Sequence, residues 1–298
     1  MLANQAQSPG AVFSERVRQV NTMDHYTSRA IKVEDVKDLD ASVMRAYYDA
    51  RFANAADFTF FIVGAFDLKA ITPLVTTYIG SLPSKGKATG KIGDVKLEFP
   101  PDVRRETVRK GKEPRSQTVM TFFADTGLDE METHRVQAAA QVLENRLRDI
   151  LREQLGGTYS VGVGYSSTSP IPGYGTTSVQ FGSSPENVEK LSQAVMSEID
   201  RLRREGPAAS DVQAVKEAEK NSLQESLRQN NYWLNSLQTV HLLGRDARRI
   251  PLRVERTESL DQANIHAAIR KYFPGNRYTI VSLMPEAQGA SAAAGARP

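Results

Sequence analysis

The fold class predicted from the sequence is α+β, and three observations predict it. Short runs rich in β-branched and aromatic residues recur at 106–109, 117–123, 159–165, 176–181 and 278–283, each bounded by turn-forming residues. Between them, apolar residues fall at helical spacing, so the second half reads β-β-α-β-β-α-α-α-β. The chain has 298 residues, 40% of them apolar and 24% charged, which is ordinary for a globular protein of about two domains.

The elements follow in order. Val12, Phe13, Val17 and Val20 place a helix in the first 20 or so residues, and Asp24 to Arg29 is polar and turn-like. Asp40 is placed to cap a helix that carries Val43, Met44, Tyr47 and Tyr48 down to Phe52. Phe58 to Gly64, FTFFIVG, is a continuous apolar run that suits a strand buried on both faces. Asp67 caps the next helix, Leu68 to Tyr78, with Pro73 in its early turns, where proline costs least. Gly80 to Pro101 is the strongest linker candidate.

Beyond it, Gly111 to Ser116 connects the first two strands of the second half. A long helix runs from about Leu128 to Gln154, with Val136, Ala139, Ala140, Leu143, Leu147, Ile150 and Leu151 on one side, and Gly156-Gly157 stops it. Pro185 sits in the first turn of a helix carrying Val188, Leu191, Val195, Ile199 and Leu202, which ends near Gly206. Ser210 opens a helix expected to run past Trp233 to Leu243. Asp261 to Phe273 is a short helix before the last strand, and the tail is small and flexible. The strand at Phe58–Gly64 has no neighbours in its own half. Either it joins the second sheet or its domain is cut off on the N-terminal side; truncation is the favoured reading.

Composition excludes several functions. There is no cysteine, so disulfide frameworks, cysteine-ligated zinc, iron–sulfur clusters and cysteine nucleophiles are ruled out. No apolar run reaches the ~18 residues that span a bilayer, and residues 1–20 lack a signal-peptide layout. The net charge of +3 comes from 38 basic and 35 acidic residues, and the basic stretch Lys85–Lys96 has no interleaved aromatics, so nucleic acid is a poor fit. The four histidines, His25, His134, His241 and His266, form no i, i+4 pair for zinc. There is no G-x-S-x-G elbow, and Gly162-Val163-Gly164 lies inside a strand pattern rather than opening a helix.

One segment carries candidate chemistry: LREQLGGTYSV, Leu151 to Val161, a helix end, a double-glycine break and a strand. A reversal there brings Arg152 and Tyr159 to one edge. Arginine offers a permanent charge and a fork of donors, and a tyrosine hydroxyl can bond a developing oxyanion. The structural alternative is that Arg152 caps helix carbonyls and Tyr159 is an amphipathic strand residue. Tyr232 and Trp233 could line a substrate chamber, although aromatics at helical spacing are more often packing. The arginines at 245, 248, 249, 253 and 256 read as a solvated face.

The string LREQLGGTYSVGVGY resembles the C-terminal half of the insulinase/pitrilysin family of zinc metallopeptidases, whose catalytic signature is H-x-x-E-H. YYDARFANAADFTFFIVGAFD and ITPLVTTYIGSLP resemble the end of that family's third domain. RKGKEPRSQTVMTFFA resembles the opening of the fourth, and FGSSPENVEKL, NNYWL and YTIVSLMPE its later elements. The resemblance runs from about Asn4 to Glu286 and is nearest the large periplasmic bacterial type.

It implies an antiparallel-rich sheet with helices packed on one face. An incomplete third domain would span 1–83, a linker 84–100, a complete fourth domain 101–286 and a flexible tail 287–298. It also implies two homologous halves closing on a peptide, zinc being held by the N-terminal half. By resemblance, Arg152 and Tyr159 are supporting catalytic residues, and Arg152, Gly156, Gly157, Tyr159, Tyr232 and Trp233 contact substrate. No H-x-x-E-H exists here, so this chain carries no metal site of its own and is expected to be inert alone. The partners expected are a zinc-bearing half or subunit and peptide substrates, with neither nucleic acid nor a membrane span, and exposed apolar surface could form a homodimer. Other readings are a non-catalytic assembly subunit of the same fold and a free-standing peptide-binding module.

Overall fold

The computed structural model describes residues 2–88, 93, 95–154, 156, 158 and 160–286, with the backbone alone at 3, 5 and 152–154. In chain order the helices are α1 (Leu2–Gln5), α2 (Pro9–Asn21), α3 (Val33–Lys37), α4 (Ala41–Phe52), α5 (Leu68–Tyr78), α6 (Glu130–Arg148), α7 (Val188–Glu205), α8 (Ala209–Ser226), α9 (Asn230–Leu242), α10 (Arg253–Glu258) and α11 (Gln262–Tyr272). The strands are β1 (Arg104–Arg109), β2 (Ser116–Phe123), β3 (Val161–Ser167), β4 (Gly175–Ser183) and β5 (Tyr278–Met284). The chain divides into two compact units: residues 1–31, 96–217 and 258–298 form the first, and residues 32–95 and 218–257 the second.

The first unit holds a five-stranded sheet in the order β1-β5-β2-β4-β3. Only β1 and β5 run parallel; β5–β2, β2–β4 and β4–β3 are antiparallel, so the sheet is antiparallel-rich as the sequence implies. Alternation along the strands sorts the side chains. Met120 and Phe122 of β2, Val179 and Phe181 of β4, and Ile280 of β5 point to one face, where α6, α7 and α11 cover them. Those helices present Leu143 and Leu147, Leu191, Val195 and Ile199, and Ile265 and Ile269, all buried, which makes one continuous core. Gly175 is required here, since a Cβ would clash with the Ala124 carbonyl oxygen.

The opposite face carries α2. Phe13 and Val20 pack against Val281, with Val17, Val108, Val119 and Leu283 around them. At the end of α2 the buried Asn21 amide donates to the Thr121 hydroxyl at 3.0 Å, and its carbonyl accepts from Thr279 at 2.6 Å. Tyr174 donates to the Asn21 backbone carbonyl at 2.7 Å, and the Arg16 guanidinium meets both oxygens of Glu106 at 2.7 and 2.8 Å. Residues 1–31, expected within the incomplete domain of 1–83, therefore pack with this sheet. The apolar stripe of α2 finds its complement in the outward valines of β1, β2 and β5.

The second unit differs from expectation at one point above all. Phe58–Gly64 forms no strand; among the described residues no ladder reaches it. β-propensity alone does not make a strand, because the backbone groups need a neighbour. The expected helix from Ser210 to Leu243 is broken into α8 and α9, and the Trp233 indole donates to the Leu227 carbonyl at 2.9 Å across the break. Asn54 ties the chain locally: Lys85 N–H donates to its side-chain oxygen at 2.8 Å, and its amide donates to the Lys87 carbonyl at 3.0 Å. The tail at 287–298 and part of the expected linker, residues 89–92 and 94, lie outside the described residues.

Candidate functional site

The segment singled out from the sequence joins the end of α6 to β3, the strand at one edge of the sheet. The α-helix gives way to a π-helical turn, Asp149–Gln154, which contains Arg152. Such turns place one extra residue in the helix and shift the side chains that follow it. Leu151 is fully buried and anchors this turn in the core. Gly156 then takes φ +57°, the left-handed conformation that ends a helix and that glycine adopts without strain.

On the strand side, Thr158 is buried. Its hydroxyl bonds the Gly182 carbonyl on β4 and accepts from Ser160 N–H at 3.2 Å. The segment is thus pinned at Leu151 on the helix side and at Thr158 on the sheet side. Gly157 and Tyr159 lie outside the described residues, as does the Arg152 side chain.

Two residues that hold this segment in place escaped sequence reasoning. Glu144, on α6, accepts the Val163 backbone N–H at 3.0 Å and the Arg148 guanidinium at 2.8 Å. A side-chain carboxylate therefore satisfies a donor of the edge strand and holds β3 to the helix that leads into Arg152. Thr158 is the other. The sequence signal for Glu144 is only its i, i+4 spacing to Arg148, which a solvent-facing pair would also show. Near the same end of α6, Glu198 of α7 lies buried between Arg146 and Arg201, at 3.1 and 2.7 Å. Burial favours its neutral form, but hydrogen bonds from the two arginines prevail and hold its pKa below the usual carboxylate value.

The remaining candidates fall elsewhere. Gly162 and Gly164 are interior residues of β3, as the strand reading implies. Tyr232 and Trp233 lie on α9 in the second unit, their rings edge-to-face at 5.7 Å. Three histidines have local partners: His25 with Thr27, His241 with Thr59, and His266 with the Arg203 carbonyl; His134 is buried on α6. Among the described residues no group of three or more His, Asp or Glu side chains is placed to hold a metal ion. The described residues therefore do not fit a zinc centre.

Comparisons with known proteins bear on the family and the fold. The sequence model of the family described as the peptidase M16 inactive domain matches residues 38–219, more than half of the chain. A "Zinc protease PQQL-like" protein of Arabidopsis thaliana is 28% identical over 302 residues, covering 93% of this chain and 32% of the relative. The crystal structure of the periplasmic protease PqqL from Escherichia coli superposes with a TM-score of 0.79 at 19% identity, covering 96% of this chain and 31% of that one. The first half of the same protease also superposes, with a TM-score of 0.72 at 13% identity, covering 95% of this chain and 63% of that one. The chain spans about a third of the length of the first curated relative. With residues 38–219 matched to the family's inactive domain and the fold shared with both PqqL structures, the chain belongs to the peptidase M16 family.

Proposed function

We propose that this chain is the C-terminal, substrate-binding half of a zinc-dependent endopeptidase. The observation that carries the reading is the construction of the Leu151–Val161 segment. It is a π-turn, a left-handed glycine and a pinned threonine leading into an edge strand, with Arg152 and Tyr159 in the sequence at its two ends. In this reading Arg152 holds the peptide backbone or carbonyl through its guanidinium fork. Tyr159 donates its hydroxyl to the tetrahedral oxyanion. Donors fixed in place before the reaction stabilise that charge at little reorganisation cost. Gly156 and Gly157 let the substrate backbone approach, and Tyr232 and Trp233 contribute apolar contact.

The metal belongs to a separate N-terminal half, on the same or another polypeptide, because no H-x-x-E-H occurs in this sequence. The E. coli relative is named a periplasmic protease, and the same compartment is proposed here. Among the described residues no helix is long and apolar enough to cross a membrane.

The test is Arg152→Ala and Tyr159→Phe in a peptidase assembled from this chain and an H-x-x-E-H-bearing half. Loss of the tyrosine hydroxyl should lower kcat by about 100-fold, the usual size for an oxyanion donor. Loss of Arg152 should raise KM as well as lower kcat, with the assembled fraction unchanged in both variants. If turnover per assembled complex stays at wild type while assembly weakens, the pair is structural and the reading fails.

A further inference from the structure

A cavity of about 340 Å³ opens in the first unit between β1, the adjacent β5 and the start of α7. β1 pairs with β5 on one side and with no strand on the other among the described residues, at the edge of the sheet opposite β3. Burial alternates along β1, so Arg105 and Arg109 share the face towards α7. Arg104 and Glu106 take the other face, where Glu106 meets Arg16 of α2.

The lining residues sort by depth. Ile280 and Ser282 of β5 and Ser192 of α7 are buried, whereas Arg105, Arg109, Glu186 and Glu189 are exposed at the rim. Ser282 is satisfied by the Thr118 hydroxyl at 3.0 Å. Ser192, only 2% exposed, carries a hydroxyl with no hydrogen-bond partner among the described residues. A buried hydroxyl left unpaired is costly, and folded proteins leave few of them. At the rim, Arg105 and Glu189 offset each other at 3.8 Å. Arg109 and Glu186 have no such partner. Among the described residues Arg109 reaches only the Pro285 carbonyl, at 3.5 Å, and Glu186 bonds only Ser184 and its own N–H. The cavity therefore offers one unpaired charge of each sign at its rim and an unused hydroxyl within.

We propose that this cavity binds a dipeptide with both ends free. Its carboxylate takes the Arg109 fork and its ammonium the Glu186 carboxylate. Its central amide pairs with the Ser192 hydroxyl, and an apolar side chain lies against Ile280 and Met284. Charge-assisted bonds at both ends give such a ligand its grip. A simple anion would meet Glu186 and Glu189, and a simple cation would meet Arg105 and Arg109, so a ligand of one sign is repelled by half of the rim. The volume lies at the small end of ligand cavities, which suits two residues better than a long peptide. The Leu151–Val161 segment leads into β3 at the other edge, so neither Arg152 nor Tyr159 is needed for this binding.

The experiment is equilibrium dialysis of radiolabelled alanyl-leucine against the full 298-residue chain, with its N-acetyl form, its C-terminal amide and free leucine as competitors. Alanyl-leucine should bind saturably at one site per chain. Each blocked form should compete at least about tenfold more weakly, because each loses one charge-assisted bond. Free leucine should also compete more weakly, since it has no amide for Ser192. Arg109→Ala should weaken binding about tenfold or more, and Ser192→Ala about fivefold, the size of one neutral hydrogen bond. Arg104→Ala removes the same charge from the other face of the same strand and should leave the affinity unchanged, which separates the site from general charge. No saturable binding would overturn the proposal and leave a cavity filled by water alone. So would equal competition by the blocked forms or by free leucine, or equal losses in Arg104→Ala and Arg109→Ala.

Discussion

Replacing Asn21 with alanine should loosen α2 from the sheet, and the cost can be worked from three bonds. The Asn21 side chain joins the hydroxyls of Thr121 and Thr279, which are 3% and 0% exposed, so neither can turn to water when the amide is gone. The two lost hydrogen bonds cost about 1 kcal/mol net each, and a buried hydroxyl left unpaired adds about 1–3 kcal/mol, so the substitution should cost about 3–5 kcal/mol. For a unit of this size, at about 2–4 °C per kcal/mol, that lowers Tm by about 6–20 °C. The third bond, from Tyr174 to the Asn21 backbone carbonyl, survives the substitution and serves as an internal control. Differential scanning calorimetry is the appropriate assay, because the only tryptophan, Trp233, lies in the second unit and does not report on the sheet. Adding Thr279→Val should recover part of the loss, since removing both partners leaves fewer orphaned groups. A ΔΔG below about 0.5 kcal/mol, with no coupling to Thr279, would refute the docking of α2 on this face.

Three further outcomes follow from the same geometry. Glu132 accepts a hydrogen bond from the Tyr272 hydroxyl at 2.7 Å, with Lys271 and Arg135 at 3.1 and 2.9 Å, and its pKa falls to about 2. A depressed carboxylate stabilises the fold fully above its unfolded pKa and loses that contribution as pH drops from about 4.5 through about 2. Acid titration of Glu132→Gln should therefore show a shallower loss of stability in that window. Tyr272→Phe should raise the Glu132 pKa in an NMR titration, because that hydroxyl is the largest single cause of the shift. Glu144→Ala should leave the Val163 amide unpaired and speed its hydrogen exchange by about tenfold or more, with Glu144→Gln milder because it can still accept.

Much of the first unit was legible in the sequence because its signals are local and mutually consistent. All five strands of the sheet lie within a few residues of the apolar runs that announce them, and the stripe of α6 faces the core as its period requires. What the sequence could not show was which surface each stripe meets. The Val12–Val20 helix reads as part of the first half, yet its complement is the set of valines on β1, β2 and β5, distant in sequence. FTFFIVG reads as a buried strand because its composition is that of one, but pairing depends on neighbours that composition does not encode. The break between α8 and α9 is fixed by a side chain reaching back to a carbonyl, which helical periodicity does not register. At the candidate site, the glycine stop after α6 was legible from residue type. The carboxylate of Glu144 on the edge strand was not, because that contact joins positions on different elements.

On the proposed function, this chain supplies substrate-supporting groups to a catalytic centre held by another half. The most direct measurement compares peptide hydrolysis by the purified chain with hydrolysis by the chain assembled with an H-x-x-E-H-bearing half, each with and without a metal chelator. The chain alone should cleave nothing, and cleavage that a chelator abolishes should appear on assembly. Chelator-sensitive turnover by the 298-residue chain by itself would mean that the chain holds its own catalytic metal.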